Sequence, residues 1–183
     1  MLPLTIPAWE RFDQNTNNFY EHPEVRLELE HSLYTISKWE ANWHLPFLTD
    51  KPKNTEQIRD YIRCMTMNEV SDPFCYYRLT DEDVAKVEAY IDDPMTATTF
   101  REEPGKGRKA NLGKFTTSEE IYYMMTALQI PFECQHWHLA RLLTLIRVCN
   151  IKQQPPKKIP KGEQARQNRA LNAARRKRHG TRG

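Results

Sequence analysis

"QHWHLARLLTLIRVCN", Gln135 to Asn150, is the most apolar stretch of the chain, and its reading decides what the rest must fold around. At 100° per residue, Leu139, Leu142, Leu143, Ile146 and Cys149 fall within an arc of roughly 120°, the width of a core-facing helical stripe. The run carries Arg141 and Arg147 and is too short to cross a bilayer, so it is expected to be the central helix of a soluble, cytosolic domain. A domain of about 150 residues buries roughly 68 to 70% of its unfolded surface, so 183 residues suffice for one ordinary core without metals or disulfides.

Upstream of this helix the pattern changes. "LPLTIPAW" and "VRLELEH" flank the polar turn "DQNTNN", and Val25, Leu27 and Leu29 alternate with charged residues, which predicts a small antiparallel sheet with one buried face. Ser32 is placed to cap "LYTISKWEANW", a helix that runs until Pro46 stops it, with Trp39 and Trp43 sealing it onto the sheet. Asn54 or Thr55 opens a second helix with the stripe Ile58, Tyr61, Ile62 and Met65. Thr80 and Asp83 form a capping box for a third, whose stripe is Val84, Val87 and Ile91. Thr116 or Thr117, with Glu119 or Glu120 three positions later, caps a fourth over "EEIYYMMTALQI". The fold class is therefore α+β: a small N-terminal antiparallel sheet or hairpin packed on a mainly helical domain, Met1 to Ile151. The chain contains no convincing internal repeat.

"PGKGRKANLGKFTTSEE", Pro104 to Glu120, superficially suggests a phosphate-binding loop. The spacing fails: five residues separate Gly107 from Gly113, and Phe115 follows Lys114 where a metal-binding hydroxyl is required. A basic turn joining two extended arms, "MTATTFREE" and "ANLGKFTT", accounts for the stretch. The start, "MLPLTIPAWERF", lacks a positively charged leader and is interrupted by Pro3 and Pro7, unlike a secretory signal.

Metal and catalytic chemistry find little support. Cys134, His136 and His138 are metal-capable, yet in a helix only Cys134 and His138 point the same way, and Cys149 lies about 16 Å further along the axis. A site would need a remote ligand such as His31 or His44; ordinary core thiols and satisfied histidines are expected instead, with no metal and no cofactor. Cys64, Cys75, Cys134 and Cys149 form no CxxC pair and are expected to remain thiols. There is no GxSxG, and the acidic neighbours Asp92/Asp93 and Glu102/Glu103 point apart in either regular structure, so no enzyme is expected.

Charge is strongly asymmetric. From Pro155 onward, Lys157, Lys158, Lys161, Arg166, Arg169, Arg175, Arg176, Lys177, Arg178 and Arg182 face Glu163 alone, a net +9, leaving −6 on Met1 to Gln154. Residues 152–162, with Pro155, Pro156 and Pro160, are expected to be a stiff, extended linker. The tail, 163–183, has good helix formers but cations on every face, and is expected to stay disordered or partly helical until it meets a partner. These ten cations are the candidate partner-binding residues, directed at an acidic protein surface or at nucleic acid. No Phe, Tyr or Trp follows His138, so the tail lacks stacking platforms; nonspecific phosphate binding stays open while sequence-specific RNA binding is disfavoured.

"EHSLYTISKWEANWHLPFL" (Glu30–Leu48), "DYIRCMTM" (Asp60–Met67), "PMTATTF" (Pro94–Phe100), "SEEIYYMMTALQIPFECQHWHLARLLTLIRVCNIKQQPPKK" (Ser118–Lys158) and "LNAARRK" (Leu171–Lys177) together resemble a family encoded in the tail modules of long-tailed bacteriophages and prophages. The likeness runs over most of the chain and is weakest from Arg101 to Lys114. It implies a small tail assembly chaperone, encoded just before the tape measure protein and acting in the host cytoplasm. Such a protein binds the newly made tape measure protein or other tail proteins while the tube polymerises, and brings no catalytic residues. The alternative is a virion tail or connector component whose basic arm lies against DNA or a neighbouring acidic subunit.

Overall fold

A computed structural model describes residues 1–15, 17–100, 117–153 and 161–180. The chain divides into two compact units, Met1–Asn150 and Ile151–Gly183.

The first unit opens with four strands, β1 (Leu2–Ile6), β2 (Trp9–Asp13), β3 (Asn18–His22) and β4 (Val25–Leu29). They form two antiparallel pairs, β1 with β4 and β2 with β3. Ile6 faces Val25 and Trp9 faces His22, so Pro7–Ala8 and Pro23–Glu24 lie opposite each other at the break between the two ladders. Proline offers no N–H to a ladder, and two prolines at one level end the pairing there. The proximal pair obeys the sequence alternation: Leu4, Ile6, Val25, Leu27 and Leu29 are buried and the residues between them exposed. In the distal pair every strand residue is exposed except Asp13 and His22, which are half-buried.

Six helices follow among the described residues: α1 (Leu33–Trp43), α2 (Thr55–Met65), α3 (Asp81–Ile91), α4 (Ser118–Ala127), α5 (Leu139–Gln153) and α6 (Lys161–His179). Short 3-10 turns cover Pro73–Tyr77 and Phe132–His136. Ser32, Asn54 and Thr80 each form a capping box, with Thr35, Gln57 and Asp83 returning the bond. α1 ends three residues before Pro46 because His44 turns left-handed, φ 51°. The core joins the inner face of β1 and β4 to Leu33, Ile36 and Trp39 of α1, Ile62 and Met65 of α2, Ile121 and Met125 of α4, and Leu142 and Ile146 of α5.

Four expectations are corrected. The indoles of Trp39 and Trp43 bond to α2, not to the sheet: Trp39 Nε1 donates to the Gln57 carbonyl at 3.0 Å and Trp43 Nε1 to Asp60 Oδ2 at 2.9 Å. An indole N–H must find an acceptor when buried, and α2 supplies both. Thr117 is the N-cap of α4 but makes no side-chain cap bond; its partner candidate Thr116 lies outside the described residues. A carboxylate from α1 does the capping instead, as Glu40 Oε2 accepts from Ser118 N at 2.8 Å and from Ser118 Oγ at 2.5 Å. α5 begins at Leu139, preceded by the 3-10 turn, because the backbone at His138 pairs with Ser32 and the Leu139 amide donates to the His31 carbonyl at 2.8 Å. Met95–Phe100, expected as a hairpin arm, carries no strand: Met95 is left-handed, φ 47°, with its amide held by Asp93 Oδ1. The rest of that hairpin lies outside the described residues.

The second unit contains α6, 19 residues long, the helical one of the two states expected for the tail. Its described side chains are exposed.

Candidate functional site

The exposed distal hairpin is not featureless. Alternation along β2 and β3 puts Trp9, Arg11 and Asp13, with Tyr20 and His22 across from them, on one face; Glu10, Phe12, Phe19 and Glu21 occupy the other. The first face looks onto the 3-10 turn that carries Phe74 and Tyr77. Between them lies an open cavity of ≈ 800 Å³, also lined by Ile6, Pro7 and Arg78.

Arg78 braces the break in the ladder. Its Nη1 donates to the Pro7 carbonyl at 2.7 Å, and its Nη2 to the Pro23 carbonyl at 3.2 Å and to Asp72 Oδ2 at 3.0 Å. Two carbonyls that the prolines leave without a ladder partner are thus satisfied by one guanidinium. The same Asp72 oxygen lies 3.1 Å from His22 Nδ1, while Asp72 Oδ1 accepts from Phe74 N at 2.9 Å. Burial opposes ionisation of this carboxyl, but its bonds to Phe74 and His22 and the nearby guanidinium outweigh it and hold it below the ordinary value. The hairpin and the 3-10 turn are therefore locked in register through Asp72, His22 and Arg78. Trp9 stacks on His22 with centroids 5.7 Å apart, and the Arg59 guanidinium backs Tyr77 at 4.5 Å. Arg11 makes no hydrogen bond or ion pair among the described residues.

The basic arm places Arg166, Arg169, Arg175, Arg176, Lys177 and Arg178 on α6, all exposed. At 100° per residue these cations distribute around the whole helix, so α6 presents charge on every side and no apolar stripe. Lys161 begins the helix; Lys157, Lys158 and Arg182 lie outside the described residues.

The metal-capable residues are dispersed. Cys134 is buried in the 3-10 turn, and burial raises its thiol above the ordinary value. Burial also pushes Cys64 up to about 11 and raises Cys75, which makes these poor thiolate nucleophiles. His136 packs against Tyr34 and His138 against Tyr90. His31 and His138 do meet, with ring centroids 5.2 Å apart, but His31 Nδ1 pairs with Tyr61 Oη at 2.5 Å and His138 Nε2 donates to the Tyr90 carbonyl at 3.1 Å. Among the described residues no group of three His, Cys, Asp or Glu is placed to hold a metal ion. No described helix is long and apolar enough to cross a membrane.

The aromatic groove was not anticipated from the sequence. The signal was present in "AWERF" and "NNFYEH", where aromatic residues alternate on both faces of a predicted hairpin and leave no face for the core. No family model matches the chain, and no curated protein or solved structure matches it.

Proposed function

We propose that this chain is a binding protein of the phage tail assembly chaperone type, which holds a newly made tape measure protein through its folded body and its basic arm. The observation that carries the reading is α6: 19 residues of helix with six exposed cations and no apolar stripe, on a chain whose remainder is acidic. A helix that cannot bury itself gains its stability from a partner, and a partner with acidic groups is the complement of this one. Weak contacts from body and arm on one chain strengthen each other through high effective concentration, which suits transient holding of a long client. The sequence resemblance points to the same role.

The test is one titration series with intact protein and with protein truncated after Gln154, each against a helical tape measure fragment and against duplex DNA. Truncation is expected to leave the fold intact, to weaken tape measure binding and to reduce its salt dependence, while DNA binding by the intact protein is weak and easily displaced. Strong DNA binding at physiological salt, falling at a slope near −0.9 per phosphate contacted, would favour the connector alternative. If truncation changes neither affinity, the arm is a passive solubility tail and the proposal fails.

A further inference from the structure

Trp9, Tyr20, Phe74 and Tyr77, exposed to between 46% and 68%, surround one cavity of ≈ 800 Å³. That volume falls in the range of sites that receive a ligand or a few partner side chains. The rings do not serve the core, because the hairpin that carries two of them buries neither face. They are nevertheless fixed: Asp72, His22 and Arg78 tie the two walls together, so the groove exists before anything enters it. Large exposed apolar patches rimmed by polar groups mark interaction surfaces.

The charge of the groove selects the occupant. Asp72 is already engaged by His22, Arg78 and the Phe74 amide, and Asp13 accepts from the Asn15 amide. Arg11 sits between Trp9 and Asp13 on the groove face, opposite Tyr20, with no ion pair among the described residues. Of the charged side chains lining the groove, Arg11 is therefore the one with no hydrogen bond or ion pair among the described residues, on a body whose net charge is −6. A polyanion needs several such cations and meets Glu10 and Glu21 on the back of the same hairpin.

We propose that this groove docks a short extended segment of a partner protein in which an aromatic or aliphatic side chain adjoins a carboxylate. The apolar side chain enters between Trp9 and Tyr20 on one wall and Phe74 and Tyr77 on the other; the carboxylate pairs with Arg11. This site is separate from the basic arm and does not depend on the tail-assembly reading.

The test uses three fluorescein-labelled octapeptides and the full chain, read by fluorescence polarisation. The first is Ser-Gly-Asp-Leu-Phe-Glu-Gly-Ser, the second has lysine in place of both acids, and the third has serine in place of leucine and phenylalanine. The first is expected to bind at least tenfold more tightly than either of the others. Arg11→Glu should weaken it at least tenfold and strengthen the lysine peptide, Tyr77→Ala should weaken it about tenfold, and Phe12→Ala, on the opposite face, should leave it unchanged. Arg11 is exposed, and rescue of the lysine peptide by Arg11→Glu shows that the variant is folded. Equal binding of the first and third peptides, insensitive to Arg11→Glu, would place the contact on the basic arm and overturn the proposal. Failure of all three peptides to bind overturns it too, as does tighter binding of a dodecathymidine with the same variant profile, or a wild-type dimer that Tyr77→Ala converts to monomer.

Discussion

Replacing Glu40 by Gln tests whether α1 really caps α4. Glu40 is 8% exposed, and its two oxygens serve different masters: Oε1 accepts from Phe47 N at 2.8 Å, Oε2 from Ser118 N and Oγ. An amide of the same shape has one acceptor oxygen, so its NH₂ must face either the Phe47 amide or the start of α4, donor against donor. One buried donor left unsatisfied costs about 1–3 kcal/mol. Losing a negative charge at a helix N-terminus adds about 0.3–1 kcal/mol, for a total of roughly 1.5–4 kcal/mol. For a domain of this size that corresponds to a fall in Tm of roughly 3–16 °C. Thermal unfolding followed by circular dichroism measures it, and amide exchange localises it, with Ser118 and Phe47 losing protection first. A Tm within 1 °C of wild type, with both amides still protected, would refute the assignment and return the capping of α4 to its own threonines.

Leu142→Ala, at a fully buried position of α5, should cost about 2–5 kcal/mol in a denaturant titration, and an unchanged midpoint would remove α5 from the core. Burial, with the neighbouring His138, lowers His31 to about 3 from 6.5, so the unfolded chain takes up a proton there before the folded one does. Stability should therefore fall as pH drops below 6.5, by about 1.4 kcal/mol per unit for this one group, and a His31→Gln variant should lose that slope between pH 6 and 4.5. Asp60 and Asp72, both held below the ordinary carboxyl value, act only at still lower pH and cannot supply it. Arg78→Met should raise amide exchange across Trp9–His22 more than across Leu2–Ile6, since it removes the brace at the prolines but leaves the buried ladder intact; equal change in both would show that the two ladders open as one.

What was legible in the sequence follows from how local its cause is. A capping box needs four consecutive residues, so the Thr80–Asp83 box could be read directly, Ser32 stands as the cap it was expected to be, and of the two candidates Asn54 and Thr55 it is Asn54 that caps α2. Apolar stripes likewise placed α2, α3 and the body of α5, with Ile62, Met65, Val87, Leu142 and Ile146 buried as read. Glu40 was illegible as a cap because Ser118, its partner, lies 78 residues away and nothing in "SKWEANW" distinguishes a capping carboxylate from a solvated one. The same holds for Trp39 and Trp43: helical spacing put them on one face, but only the fold decides that α2 supplies their acceptors.

The groove failed to appear for a different reason. Aromatic residues in a predicted strand are normally assigned to the core; Pro7 was read only as a break in the N-terminal apolar run, and Pro23, opposite it across the ladder, was not read at all. Their consequence is positional. By ending pairing at one level in both strands, Pro7 and Pro23 uncouple the distal hairpin from the burial pattern of the proximal one, so its rings need not satisfy a core. Arg78 then takes the two proline carbonyls and Asp72 takes His22, which converts a break into a fixed bend facing Phe74 and Tyr77. An interaction surface built this way keeps its shape without contributing to the core, and can change its side chains without cost to the fold. The mutational consequence distinguishes it from α5: substitutions at Trp9 or Tyr77 should move binding and leave Tm nearly unchanged, whereas substitutions at Leu142 should do the reverse.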